Sequence, residues 1–466
     1  MADTLIRHIV MGLIIWQVGR CYRHWVLAKT SLERLARQQA RQGRRKRAKV
    51  FQGLTKQPVC AQCEAEEGNH PSSGREPPPR LEQRRGRKRC VPTGHHYCPY
   101  QDCRYYGWLG LGNISSNGHP NGGRNRQLYC CVCERYFAET KGTLFYGKRY
   151  RPQQIEQALT ALAEGLGIRA VGRVFRVEPD TVLEWLLEAG THLEAFTDYL
   201  VRELAVEQVQ LDELFGLIRA VEQGQMERQE AIELLDRPWL WAAIDPVSKF
   251  WLATELGPRT TALAQRLVHQ VVQRLKVDQI PLFMTDGWRG YETALLAHYG
   301  QWRAPEPGSG QRKARWWPLP ELHYVQLIKK RARRRLVSVT RRVVFGSRNL
   351  IRQHLAAHGW QINTAFIERL NLSIRQHVPG LGRRVNTLIR SSASLAQQVG
   401  LYQVYYNFCL PHASLKVAGE NERSRKKWQP RSPAMAVGLT DHLWSLGQVL
   451  SFRVPPWPQP GAALAA

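Results

Sequence analysis

The amino-acid sequence predicts a multidomain α/β protein whose larger part is a mixed sheet flanked by helices. Three observations carry that expectation. Two close cysteine pairs lie between residues 95 and 147, helical periodicity fills residues 151–190, and strand periodicity takes over from residue 206, alternating with helices. A length of 466 residues allows roughly three domains.

Charge narrows the class of partner. Lys and Arg number 67 against 38 Asp and Glu, a net charge of +29, which favours a polyanion and fast electrostatic capture. No apolar run reaches the roughly 18 residues of a spanning helix, so no membrane partner is expected. The run Ile9–Trp16, IVMGLIIW, lacks a small-residue cleavage site and is followed by basic residues. It reads as a short amphipathic helix or a mis-assigned start rather than a signal peptide. Residues 1–50 form a basic helical arm with 12 Lys/Arg and 2 acids. That arm reads equally well as a solvated tail or as a non-specific contact to DNA phosphate.

The cysteines come next. In a chain of this charge, CxxC pairs point to metal in a reducing cytosol more than to disulfides. Cys98-x4-Cys103 and Cys130-x2-Cys133 present four thiolates, which suits tetrahedral zinc, and residues 95–147 are expected to be a zinc ribbon. Cys131, between two of the ligands, is the less natural choice. Residues 51–94 read as a flexible, cysteine-containing region, with a Pro/Gly-rich linker over 64–90. Cys60 and Cys63 are a possible further zinc pair, which Cys90, His95 or His96 could complete. Cys21 and Cys409 have apolar neighbours and read as core residues.

Residues 148–200 are expected to form a helix-turn-helix. Ile155, Leu159 and Leu162 have helical spacing, and a short helix runs through Val171, Val174 and Phe175. Pro179 then starts a helix carrying Val182, Leu183, Leu186 and Leu187. Asp180 and Glu184 on that last helix would repel phosphate.

Residues 204–415 are expected to form the main α/β unit. Val209 and Leu211 face one side of a strand, and Gln208, Gln210 and Asp212 face the other. Trp239–Ile244 and Phe250–Leu256 flank the turn Asp245-Pro246-Val247-Ser248. Arg259–Leu275 is an apolar-periodic helix. Ile280–Met284 is continuously apolar, as in a central strand, and Gly287 turns the chain into another helix. Over 363–376, Ile367, Leu370 and Ile374 stripe one helix face, with Glu368, Asn371 and Arg375 beside it. A basic insertion spans about 300–350. Residues 311–348 hold 12 Lys/Arg and one acid, Glu321. Lys329, Lys330, Arg331, Arg333, Arg334 and Arg335, with Trp316, Trp317 and Tyr324 nearby, read as a DNA-tracking surface. Residues 416–466 read as a C-terminal tail.

Asp212, Asp286 and Glu368 are the candidate catalytic residues. Breaking a phosphodiester needs an activated oxygen nucleophile and a stabilised leaving oxygen, and two magnesium ions about 4 Å apart supply both. Magnesium takes hard oxygen ligands, so carboxylates suit it. Two strand Asp and one helix Glu converge if the strands are neighbours and the helix crosses their ends. The strand–strand–strand–helix–strand order allows this, and it is the layout of a ribonuclease-H-like sheet. Alternation sends Glu213 to the opposite face from Asp212, so it is expected to be structural. So is Asp245, in its turn.

At these residues the sequence resembles the DDE transposases of bacterial insertion sequences, nearest to the "insertion sequence one" type and its relatives. The matching pieces are LDE at 211–213, MTDGW at 284–288, IERLNLSIRQH at 367–377 and LGRR at 381–384. YYNFCLPHASL at 405–415 and SPAMAVGLTDHLWS at 432–445 also match. The resemblance spans roughly residues 95–445. It implies that Asp212, Asp286 and Glu368 bind two magnesium or manganese ions. It also implies that Asn371, Arg375, Arg383 and Arg384 support the site or touch DNA. The implied activity is cleavage at transposon ends and joining of the freed 3′ hydroxyl to target DNA. The implied partners are double-stranded DNA, as terminal repeats and target, and further copies of the chain on paired ends. The implied location is cytoplasmic, on the nucleoid. Two features depart from the type member: a longer Asp-to-Glu stretch holding the basic block, and the arm over residues 1–94. The competing readings are a catalytically silent zinc-ribbon/helix-turn-helix DNA-binding protein, and a nuclease or resolvase on the same fold.

Overall fold

The computed structural model describes residues 76–81, 93–123, 125–215, 239–304, 314–333, 335–382, 392–418 and 428–459. The expectations for the basic arm, Cys21, Cys60, Cys63, Cys90, Arg334, Arg383 and Arg384 lie outside the described residues.

The cysteine module is a three-stranded antiparallel sheet of β1 (Ile114–Ser116), β2 (Gln127–Cys130) and β3 (Arg135–Ala138). Its small core is Ile114, Leu128 and Phe137 beside the cysteines. Three helices follow: α1 (Pro152–Ala163), α2 (Ile168–Phe175) and α3 (Pro179–Leu200). Proline opens α1 and α3, where its missing N–H costs nothing. Arg176, in the left-handed conformation at φ 54°, ends α2. Helix α3 runs on to Leu200, and its Trp185, Leu186, Leu193 and Phe196 are buried in the same core as the main sheet. The three helices therefore share that core rather than building one of their own.

The main unit holds β4 (Gln208–Phe215), β5 (Trp239–Ile244), β6 (Trp251–Gly257), α4 (Thr261–Arg274), β7 (Leu282–Thr285) and α5 (Gly290–Tyr299). A small ribbon of β8 (Gly300–Arg303) and β9 (Arg315–Pro318) precedes β10 (Tyr324–Ala332) and β11 (Arg335–Phe345). Then come α6 (Arg348–Ala356), α7 (Ala365–His377) and α8 (Ser392–Val404). Among the described residues the sheet order is β11-β10-β7-β4-β5-β6. β7 is parallel to both neighbours; the other pairs are antiparallel.

Period-two alternation divides this sheet cleanly. Val209, Leu211, Trp241, Ala243 and Phe283 pack on α4 residues Ala264, Leu267, Val268 and Val271. Leu214, Leu240, Ala242 and Ile244 pack on α7 residues Ile367, Leu370 and Ile374. Leu282, Met284 and Val325, on that second side, pack on Ile351 and Leu355 of α6. Helices cover both faces, which is why β7 reads as an unbroken apolar run. Asp245 is structural, as expected: it accepts from Val247 N (2.9 Å) and Ser248 N (3.0 Å), closing the β5–β6 turn.

Two features escaped the sequence reading. β10 and β11 lie inside the basic block, and beyond Gln326 they pair with each other and, among the described residues, with no other strand, so they leave the sheet as a two-stranded ribbon. The supposed tail also packs. Trp444 and residues Leu446, Val449 and Leu450 of α9 (Leu446–Ser451) are buried in the main core. Tyr97 Oη donates to Val454 O (2.9 Å), and Gln459 Nε2 donates to Gly107 O (3.1 Å), pinning the C-terminal segment to the cysteine module. No described helix is long and apolar enough to cross a membrane.

Candidate active site

β7 has four residues, and longer parallel strands lie on either side. It pairs with β4 over Gln208–Gln210 and with β10 over Tyr324–Gln326. Past Thr285 the chain turns away into α5, leaving a gap between β4 and β10. That gap is a cavity of about 470 Å³, lined in part by Asp212, Arg259, Asp286, Lys329, Thr364 and Glu368. It lies beyond the carboxyl end of a parallel strand, where open α/β sheets place their sites. Gly287 makes a close approach there: a Cβ at this position would stand 3.0 Å from Ile328 Cγ1, so that side chain would have to shift slightly.

Carboxylate oxygens of Asp212, Glu213 and Asp286 all lie within 4.8 Å of one another. Asp212 faces α7 and accepts from Asn371 Nδ2 at 2.8 Å. Asp286 is fixed by its own turn, Oδ1 accepting from Trp288 N at 2.9 Å. Glu213 does face the other side of β4, where Tyr291 Oη donates to its Oε2 at 2.9 Å and Arg259 pairs with its Oε1. Its carboxylate nevertheless joins the cluster. The β4–β7 ladder ends at Gln210, so Glu213, buried behind Arg259, still comes close to Asp212 and Asp286. Arg259 also stands 3.7 Å from Asp286 Oδ2.

The electrostatics match this crowding. Burial, reinforced by the charges of Glu213 and Asp286, pushes the Asp212 carboxyl up to about 7. Burial and Asp286 raise Glu213 as well, against the pull of Arg259. The Tyr291 hydroxyl, fully buried beside these acids, is held well above its usual range and so stays a donor. Three crowded hard-oxygen donors fit a divalent cation of the magnesium or manganese kind, whose charge would relieve their repulsion.

Glu368, in the first turn of α7, lines the same cavity but stands outside that three-carboxylate cluster. Its Oε1 accepts from Thr364 Oγ1 at 2.7 Å and pairs with Lys329 Nζ. Arg375 is elsewhere: its Nη1 donates to Leu381 O at 3.0 Å, closing the turn after α7. Lys330, Arg333 and Arg335 are exposed on the β10–β11 ribbon, and Arg331 lies in β10. Arg259, Tyr291 and Thr364 were not singled out in the sequence. They come from a loop, a helix and a helix cap, and only the fold relates them to Asp212.

In the cysteine module the four Sγ atoms of Cys98, Cys103, Cys130 and Cys133 converge. Cys98–Cys133 is 3.6 Å and Cys103–Cys130 is 3.9 Å. Tetrahedral zinc with thiolate bonds near 2.3 Å would set these edges at about 3.8 Å. Asn113 Nδ2 (3.6 Å, to Cys130) and Tyr105 N (3.4 Å, to Cys103) already point donors at the sulfurs. The Cys98–Cys130 hydrogen bond pushes the Cys98 thiol up and draws Cys130 down to about 4. Cys131 is exposed and outside the group.

No family model matches the chain, and no curated protein matches it. Some solved structures are similar in part. The Mos1 strand transfer complex is 13% identical over 31% of this chain and 53% of that one, with a TM-score of 0.13. The Mos1 mariner paired end complex with Mn is 16% identical over 32% and 56%, with a TM-score of 0.13. A pre-cleavage Mos1 transpososome is 10% identical over 55% and 76%, with a TM-score of 0.16. The chain thus spans about half the length of the first two. These structural neighbours are transposase complexes, and the likeness is weak and partial.

Proposed function

We propose that this chain is a DNA transposase of the DDE type, cutting phosphodiester bonds at element ends and joining the freed 3′ hydroxyl to target DNA. The observation that carries the reading is the meeting of Asp212, Glu213 and Asp286 within 4.8 Å at the open end of β7, with Glu368 lining the same cavity. Asp212, Asp286 and Glu368 would hold two magnesium or manganese ions. Bound there, the ions would activate an attacking oxygen and stabilise a leaving one.

The chain's own groups do the rest. Arg259 balances Glu213, and Asp212, Asp286 and Glu368 are the acids that line the cavity. Asn371 orients Asp212. Lys329 places a cation where a phosphate would approach Glu368. Lys330, Arg333 and Arg335 extend that positive surface along the ribbon. On the helical segment, the exposed Arg169, Arg173 and Arg176 at α2 are better suited to phosphate than the acidic start of α3. The four cysteines would hold a structural zinc.

The Lys329–Glu368 pair also favours a second reading, a silent DNA-binding descendant in which Glu368 is committed to Lys329. One experiment separates them. Supercoiled plasmid carrying the DNA that flanks the coding region is incubated with the full chain and magnesium, beside Glu368→Gln. The proposal expects nicks leaving 3′ hydroxyls and joined products, both lost in the variant. Equal DNA binding by both proteins without metal-dependent cleavage would sink it.

A further inference from the structure

At the other end of β4, away from the acids, a second group of metal-ligating side chains converges. Glu207 immediately precedes the strand, and His354 and His358 are one turn apart on α6 and its C-terminal turn. One donor atom from each lies within 4.8 Å of the other two. We infer that Glu207, His354 and His358 form a binding site for a transition-metal dication of the zinc kind, separate from both the carboxylate cluster and the cysteine cluster.

The backbone holds all three in place. Glu207 O accepts from Leu282 N at 2.9 Å, fixing its position at the edge of the β4–β7 ladder. Helix α6 ends in a Schellman turn: Trp360 N donates to Leu355 O (2.9 Å), Gly359 N donates to Ala356 O (2.9 Å), and Gly359 takes φ +66°. That turn sets His358 at the helix end, with its ring stacked on Trp360 at 4.9 Å. Beneath it, Ile351 and Leu355 pack on Leu282, Met284 and Val325, so the helix cannot roll.

The donors themselves call for an ion. His354 Nε2 is shielded from solvent and has no hydrogen-bond partner, a costly state for a ring nitrogen. One ring nitrogen of the same imidazole lies within 4.8 Å of donor atoms of Glu207 and His358. His358 Nε2 and Glu207 Oε2 are 3.0 Å apart, close to the spacing of two ligands on one small cation. Two imidazoles and a carboxylate suit zinc, nickel, cobalt or copper, and imidazole nitrogen argues against magnesium. The side chain of Glu207 is 57% exposed, which gives a cation a way in. The ion would tie the start of β4 to α6, the helix lying between the basic ribbon and the helix of Glu368.

The test is zinc content at saturation, measured on the full chain and on the triple variant Glu207→Gln, His354→Asn, His358→Asn. The cysteine sites are common to both proteins, so the expected difference is one equivalent of zinc. A second readout needs no variant. Zinc should protect His354 and His358 from diethyl pyrocarbonate, read peptide by peptide, relative to chelated protein. Equal zinc content in two folded proteins would overturn the site. Unchanged labelling of both histidines would overturn it even if the variant failed to fold.

Discussion

The side-chain amide of Asn371 on α7 donates to Asp212 Oδ2 on β4 across 2.8 Å, joining the helix of Glu368 to the strand of Asp212. The bond is part-buried and spans 159 residues of sequence, so it sets how the two walls of the cavity meet. Asn371→Ala should cost roughly 1–3 kcal/mol in urea unfolding, because a buried acceptor loses its donor. It should also slow metal-dependent nicking by about 10–100-fold, the usual effect of losing a partner of a metal ligand. Unchanged stability and rate would mean that the hydrogen bond orients nothing.

The raised Asp212 carboxyl predicts a pH dependence in protein freed of divalent cations. Its folded value, about 7, lies above the ordinary 3.8. The folded state therefore binds the proton more tightly, and the stability this gives is fully present below pH ~4 and lost as pH rises through about 7. The melting temperature should fall over that window, and Asp212→Asn should flatten the fall. Parallel melts across roughly pH 4–8 test it, and identical slopes for the two proteins would rule out the assignment.

Asn407 gives a stability prediction remote from the chemistry. Its Oδ1 accepts from Trp251 N (2.9 Å) and its Nδ2 donates to Trp251 O (3.0 Å), satisfying a buried backbone pair on the outer strand β6. Asn407→Ala strands Trp251 N, while Gln403 Nε2 still donates to Trp251 O at 3.1 Å, and it should destabilise the fold by roughly 1–3 kcal/mol. Chemical denaturation reads this directly, and a change below the experimental error would contradict it.

Much of this arrangement could be read from the sequence, and the reason is periodicity. β4 to β7 sit under helices on both faces, so their apolar residues alternate or run together, and Asp212 and Asp286 stand out at the breaks. Glu368 and Asn371 share a helix face by spacing alone. The β10–β11 ribbon left no such mark. Its ladder to β7 ends at Gln326, and β11 from Arg335 to Arg342 is exposed, so its charges read only as a basic block. Arg259 and Tyr291 were invisible for another reason: neither carries a local pattern, and each reaches Glu213 only through the packing of α4 and α5 on the sheet. The C-terminal segment reads as a tail because α9 is too short to show helical periodicity, although Leu446, Val449 and Leu450 fill the core.

The ribbon carries a prediction about DNA. Replacing Lys330, Arg333 and Arg335 by Ala should weaken binding to duplexes of any sequence alike. It should also lower the slope of log affinity against log salt by about 0.9 for each phosphate that is no longer neutralised. Fluorescence anisotropy at several salt concentrations measures both. An unchanged slope would assign these charges to solvent.

The central claim is that the carboxylates at the end of β7 hold the ions that cut DNA, and Asp286→Cys tests it most directly. Thiolate is a poor ligand for magnesium and a better one for softer ions such as manganese. The account predicts that Asp286→Cys loses magnesium-supported nicking of end-bearing plasmid and regains it in manganese, while the unsubstituted chain works in both. Full magnesium-supported nicking by Asp286→Cys would contradict it.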